Sequence, residues 1–271
     1  MLVRQPRTFI RDAWRERYAI PAFDVCNLEL MKAVVDAAVD ERAPVILATY
    51  TGDLSHAGLK PLACVARVLA EEAPVPVLLH LDHGTGFEMA VQCLAEGYNS
   101  VMFDGSHLSL EDNLRETRAI AGAAHAVGAA MEGEVGSFGG DQGAVVFTEP
   151  RQAAAMFERG DVDMLAVSVG SVHGQKSRLD LARLEGIARE APGPLVLHGG
   201  SGIAPEDVRR AIELGVVKLN IGHALSTAWL RGLREGLEAS SSHYDVLARG
   251  VERCRGEARR RFAEAGASGR A

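Results

Sequence analysis

Three histidines, His83, His173 and His198, each fall near the end of a different short apolar run: PVLLHLDH (76–83), MLAVSVGSVHG (164–174) and PLVLHGGSG (194–202). A single histidine in such a place is ordinarily a hydrogen-bonded structural residue. Three on separate runs point to a metal, because neutral imidazoles suit zinc, and three protein ligands with an open fourth position make a catalytic site. Asp82 shares the first of these runs, and other runs end in Asp24, Asp104, Glu132, Glu134 and Asn220, so carboxylates and an amide converge with the imidazoles. Asp82 and His83 are neighbours, and neighbours in a regular strand face opposite ways; one of the two must sit where the strand has turned into its loop. His80 reads as barrel packing or an internal hydrogen bond, while His56, His107, His125 and His243 fall in loops or helices and carry no assigned role.

The elements that must position these groups are short and repetitive. Besides the three runs above, YAIPAFD (18–24), PVILAT (44–49), SVMFDGS (100–106), AAMEGEVG (129–136) and VVKLNIG (216–222) read as strands, giving eight. Several are almost wholly apolar, as parallel strands covered on both faces are. Amphipathic stretches such as 28–43, 88–98 and 206–215 separate them, at intervals of about 20 to 35 residues, the size of a βα unit. Eight such units predict an α/β fold of the (β/α)₈ TIM-barrel type, as one domain over 1–271, with active groups at the C-terminal strand ends. A doubly wound open sheet is the runner-up, but no GxGxxG follows the first strand. Residues from about 226 to 262 read as a C-terminal helical extension broken near Ser240–Ser242, a solvated or subunit-contacting arginine-rich helix with a frayed AGASGR end.

A second chemical signal is HGGSG (198–202), a glycine-rich turn leading into a helix near Pro205. Glycines let backbone N–H groups approach an anion closely, and the loops after strands seven and eight are the usual phosphate site of such barrels. NIGHA (220–224) lies at the next strand end, and the pair favours a phosphate ligand.

Composition narrows the classes. The 271 residues carry 29 Lys plus Arg against 36 Asp plus Glu, a net charge of −7, which argues against a nucleic-acid partner and for a small molecule. The four cysteines, Cys26, Cys64, Cys93 and Cys254, form no CxxC pair, so a reducing cytoplasm is the expected location. No long apolar run and no signal-like N-terminal segment is present, so neither membrane insertion nor export is expected.

Taken together, HLDHG, SVMFDGSH, GSVHG and VLHGGSGI resemble the class II, zinc-dependent fructose-bisphosphate and tagatose-bisphosphate aldolases, over nearly the whole chain from YAIPAFD through KLNIG. The resemblance implies a cytoplasmic homodimer or homotetramer that interconverts a ketose phosphate with dihydroxyacetone phosphate and an aldehyde through a metal-stabilised enediolate. It implies that His83, His173 and His198 ligate one Zn²⁺ per subunit, that Asp82 handles the hydroxyl proton of C3–C4 cleavage, and that Asp104 and Glu134 line an alternative metal position. It further implies that Gly174, Gly199 and Ser201 hold the donor phosphate, that the carbonyls of Val172, Gly174 and Gly199 bind a monovalent cation (Na⁺ or K⁺), and that Asn220 contacts the enediolate.

Departures from the family pattern are as informative. Asp24 stands where an asparagine is usual, Tyr50 where a small hydroxyl residue is usual, and Gly222 where the fructose-specific enzymes carry an acid; His223 replaces a threonine but retains a ring N–H for phosphate. In the loop that moves the substrate α-proton, Gln142 stands at the glutamate position, and an amide cannot act as a base, which leaves the neighbouring Asp141 as the substitute. For the distal phosphate, Arg249 and Arg253 are the candidates. The expected activity is therefore an aldolase with a non-glycolytic acceptor. Alternatives are a metal-bound sugar-phosphate sensor that has lost catalysis; a Schiff-base aldolase, for which Lys218 alone lies on a strand; and a metal-dependent hydrolase, whose His-x-His is missing from AFDVCN.

Overall fold

The computed structural model describes residues 1–140, 143–172 and 174–271; Asp141, Gln142 and His173 lie outside the described residues. The strands are β1 (Ile20–Asp24), β2 (Val45–Tyr50), β3 (Val77–Gly84), β4 (Ser100–Phe103), β5 (Ala130–Val135), β6 (Ser137–Gly140), β7 (Gly143–Val146), β8 (Met164–Val167), β9 (Leu195–Leu197) and β10 (Val216–Ile221). All but β6 and β7 are parallel and close into a barrel in the order β1-β10-β9-β8-β5-β4-β3-β2. The seam is made by β1 against β10, with Ile20 opposite Lys218 and Ala22 opposite Asn220. Closure decides against the open sheet, and all eight strands fall within the runs expected of them apart from one or two residues at the ends.

The helices are α1 (Pro6–Glu16), α2 (Leu28–Glu41), α3 (Thr51–Ala57), α4 (Leu59–Glu72), α5 (Phe87–Ala95), α6 (Leu110–Ala126), α7 (Pro150–Arg159), α8 (Leu181–Glu190), α9 (Pro205–Glu213), α10 (His223–Ala239) and α11 (His243–Glu264). Local chemistry starts several of them. Asn27 Oδ1 accepts the Leu30 N–H at 2.9 Å to cap α2, and proline occupies the first turn of α1, α7 and α9, where its missing N–H costs nothing.

Strand parity sorts the side chains into two shells. Phe23, Leu47, Leu79, Val101, Met131, Leu165, Leu197 and Leu219 belong to the large core between sheet and helices. Ile20, Ala22, Ile46, Ala48, Leu78, Met102, Ala130, Met164, Ala166 and Val196 form a second cluster, joined by Ile10 and Ala13 of α1. Two residues further along the same faces stand Asp24, His80, Glu132 and His198. Because side chains alternate strictly along a strand, the inward faces run from an apolar N-terminal end to a polar C-terminal mouth.

The C-terminal extension is a helical pair, broken as expected at Ser240–Ser242, but its end is not frayed. Ala265 and Ala267 are buried, the Gly269 N–H donates to the Glu41 carbonyl at 2.8 Å, and the Ala271 N–H donates to that of Arg42 at 2.9 Å. The last carbonyls of a helix lack partners within it, and those closing α2 find them in this tail. Phe262 of α11 is fully buried, edge-on to Phe23 of β1 at 5.6 Å.

Candidate active site

The question of which of Asp82 and His83 leaves the strand is answered by the backbone. His83 has φ +49°, in the left-handed region, and the register between β3 and β4 shifts between Leu81 and Gly84. This bulge turns His83 to the same side as Asp82, and the strain of a non-glycine residue in that region is of the kind found where a side chain must be aimed. Ligand-capable atoms of Asp82, His83 and His198 come within 4.8 Å of one another, as do those of His83, Asp104 and Glu134.

The two imidazoles meet ring nitrogen to ring nitrogen, His83 Nε2 lying 3.0 Å from His198 Nδ1. Their other nitrogens are held by carboxylates: His83 Nδ1 by Asp104 at 2.9 Å and His198 Nε2 by Glu132 at 3.2 Å. A carboxylate fixes a donating N–H on the side it touches, so the facing nitrogens both present lone pairs unless a proton or a cation lies between them. Tetrahedral nitrogens at about 2.0–2.1 Å from a metal stand about 3.3 Å apart, so the pair fits such an ion. Burial disfavours a charged His83, but Asp82, the hydrogen bond to Asp104 and the nearby Glu134 outweigh it and raise the ring to about 10.

Around this pair the carboxylates differ. Burial alone would push Asp82 up, yet His83, Lys218, His198 and the Asn220 N–H hold it at about 2. Asn220 Nδ2 donates to Asp82 Oδ1 at 2.7 Å, while Asn220 Oδ1 is buried with no hydrogen-bond partner among the described residues. Asp104 is lowered because its bonds to His83 and Ser106 outweigh burial. Glu134 goes the other way, raised well above the ordinary value by burial and by Asp104. Phe138 stacks on His198 with centroids 4.9 Å apart.

Beneath the pair lies a group the sequence left unconnected. Lys218 is buried, its Nζ 2.8 Å from Glu132 Oε2 and 3.7 Å from Asp82 Oδ1. His80 bonds Ser100 Oγ at 2.8 Å, and burial, with Lys218, lowers its pKa well below the ordinary value, which makes it the internal hydrogen-bonding residue expected of it. Lys218 does not line the mouth, so the lysine that a Schiff-base reaction needs is not presented there.

The mouth is a cavity of about 960 Å³ lined by Asp24, Tyr50, Asp82, His83, Asp104, Gly174, Gly199, Ser201, Asn220, Gly222 and His223 among others. His107, to which sequence reasoning gave no role, also lines it. Gly174 and Gly199 have φ of +69° and +68°, conformations that suit glycine and bend the backbone around the turn. Ser201 Oγ accepts the Ala224 N–H at 3.1 Å, tying this turn to the N-terminus of α10, where His223 begins the helix. The Val172 carbonyl accepts the Gln175 N–H at 3.3 Å and that of Gly199 the Gly202 N–H at 3.1 Å.

Two departures noted separately prove to be one. A Cβ built on Gly222 would overlap Asp24 Oδ2, so the Asp24 carboxyl fills the space that a side chain at 222 would need. Burial, then Asp82 and Asp53, raise Asp24 well above the ordinary carboxylate range. Tyr50 is partly exposed at the rim, and the Tyr50 N–H donates to Asp53 Oδ2 at 3.1 Å.

The arginines of the tail divide. Arg249 pairs with Glu252 at 2.5 Å and Arg253 with Glu235 at 2.8 Å, and neither lines the mouth of this chain. Arg261, read as part of a solvated face, is instead buried; it donates to the Gly200 carbonyl at 3.2 Å and the Ser201 carbonyl at 2.9 Å. Its spacing from Glu257 and Glu264 looks like any surface ladder, so sequence carries no signal for this role.

The family model described as fructose-bisphosphate aldolase class-II matches residues 4–270. The chain belongs to that family. Among class II aldolases and their relatives, it is 38% identical to the fructose-bisphosphate aldolase of Thermus caldophilus over 87% of this chain and 88% of that one. It is 33% identical to the sulfofructosephosphate aldolase of Alkalicoccus urumqiensis over 89% and 87%. The crystal structure of the YdjI aldolase from Escherichia coli K12 superposes with a TM-score of 0.91 at 31% identity, covering both chains completely. Like the family, the chain is an aldolase-type TIM barrel, and no helix among its described residues is long and apolar enough to cross a membrane.

Proposed function

We propose that the protein is a metal-dependent aldolase joining dihydroxyacetone phosphate, or a close analogue, to an aldehyde, and cleaving the product in reverse. The observation that carries this reading is the facing of His83 Nε2 and His198 Nδ1 with a carboxylate behind each ring. His83 and His198, with His173, would hold one divalent ion, zinc by the chemistry of its imidazole donors; Asp104 and Glu134 would offer an alternative position. When bound, such an ion polarises a carbonyl oxygen and stabilises the negative charge that develops there.

The chain's own groups supply the rest. Asp82, held ionised, stands ready to accept a hydroxyl proton, and Asn220 fixes it from the side. In condensation the donor C3 gives up a proton, its electron pair forms the bond to the aldehyde carbon, and the aldehyde oxygen takes a proton. Asp141 or Gln142 would stand at the C3 proton. Gly174, Gly199, Ser201 and His223, at the turn and the α10 N-terminus, would receive the donor phosphate through backbone and side-chain donors. Carbonyls of Val172, Gly174 and Gly199 would hold a monovalent cation beside it.

Metal analysis after extensive dialysis tests the carrying observation. One equivalent per chain is expected for the native protein and under about a tenth of that for His198→Ala, as loss of one of three imidazoles predicts. Unchanged metal content in that variant would refute the assignment.

A further inference from the structure

Lys218 is a buried charged group to which the proposed reaction gives no task; the residue is 1% exposed. Its strand, β10, is separated from β5 by β9 and β8, so its ion pair with Glu132 of β5 spans the barrel interior. Taking such a pair out of water is costly, and apolar residues of similar volume are often at least as stable in its place. Stability alone therefore gives little reason for a lysine here. Position gives a better one. His198 lies one residue beyond β9, whose last pairing is at Leu197, and is followed by Gly199 at φ +68°, so no ladder contact aims its ring. Phe138 stacks on the ring and holds its plane, but a stacked face cannot tell one ring nitrogen from the other. Glu132 can: its Oε1 stands 3.2 Å from His198 Nε2, and the same oxygen accepts the Lys218 ammonium at 3.1 Å. An ammonium has only hydrogens to give, so Oε1 is an acceptor, and the ring nitrogen sharing it must bring the hydrogen. Nδ1 is then left with its lone pair toward His83. Lys218 Nζ is 3.7 Å from Asp82 Oδ1, which takes the Asn220 N–H instead, so the lysine's hydrogen bond goes to Glu132.

We infer that Lys218 is a positioning residue: it holds Glu132 so that Oε1 takes the hydrogen of His198 Nε2 and Nδ1 is left bare toward the ion site. The inference rests on His198 being a ligand, as in the function proposed above. Lys218 touches neither the ion nor a substrate; it acts on the site through Glu132 and the His198 ring.

The test titrates the full chain with Zn²⁺ against a competing chelator. Lys218→Met, close in volume, is expected to bind Zn²⁺ on the order of tenfold more weakly than the native protein. In a Glu132→Gln background the same change is expected to alter affinity by under about twofold, because the group it acts through has already been changed. Leu78→Ala empties apolar space on the inward face of β3 and is the control for lost stability; it is expected to unfold more easily yet to bind Zn²⁺ within about twofold of the native protein. In zinc-loaded protein carrying ¹⁵N-labelled histidine, the His198 Nε2–H signal is expected downfield, as a hydrogen shared with a carboxylate is, and is expected to move upfield in Lys218→Met. Native affinity or an unmoved signal in Lys218→Met would overturn the inference. So would a loss of the same size in the Glu132→Gln background or in Leu78→Ala, either of which would leave Lys218 a structural tie. Failure of the native protein to bind Zn²⁺, or undiminished binding by His198→Ala, would instead remove the ligand assignment on which the inference rests.

Discussion

His83 is the residue on which the site turns. Its left-handed backbone brings it beside Asp82, and its ring, raised to about 10, holds a proton where an ion fits. A ligating histidine must be neutral, so metal uptake at neutral pH displaces that proton. The sign follows directly: lower pH favours the protonated ring, so apparent metal affinity falls as the pH is lowered. Calorimetry of metal binding at pH 7 in buffers of different ionisation enthalpy is expected to show about one proton released per ion; heats independent of the buffer would contradict this. Sequence made His83, His198 and Asp82 legible because parallel barrel strands end at the site, so a polar residue closing an apolar run announces itself. It could not show which of the adjacent pair turns, since that depends on a register shift against β4 rather than on residue type.

At the scale of elements, strands and helices act on the site through contacts between parts far apart in sequence. Asp24 of β1 and Gly222 after β10 share one space, so substitutions there must be coupled. Gly222→Ala alone is expected to cost about 1–3 kcal/mol by overpacking, and under about 0.5 kcal/mol when Asp24→Ala has emptied the space. Denaturant unfolding of the four proteins of that cycle checks this, and additive costs would contradict it. α11 reaches the phosphate turn through Arg261, whose two bonds to the carbonyls of Gly200 and Ser201 fix the backbone that is proposed to hold the donor. Arg261→Met is expected to lower stability by about 2–4 kcal/mol and to raise the donor KM more than it lowers kcat. A change in stability with an unaltered KM would reduce Arg261 to a structural tie. Periodicity located both helices of the extension and the break between them. The clamp was invisible because an arginine flanked by glutamates at helical spacing has the same pattern whether it meets water or a buried carbonyl.

At the scale of the whole molecule, the barrel sorts chemistry along its axis. An apolar layer from alternate residues supports a buried tier of His80, Glu132 and Lys218, and beside it stand Asp82, His198 and Asn220, also buried, with His83 partly exposed. That gradient was partly readable, since eight βα intervals and the polar strand ends imply a barrel with its site at one end. The pairing of Lys218 with Glu132 required the closed register, which no single run contains. The central claim is that this mouth removes a proton from the donor with the help of a bound ion. It is tested most directly by following hydrogen–deuterium exchange at C3 of dihydroxyacetone phosphate in D₂O, with purified metal-replete protein, before and after chelation. The account predicts exchange that chelation abolishes and added Zn²⁺ restores; no exchange in the metal-replete protein, or exchange that a chelator leaves untouched, would contradict it.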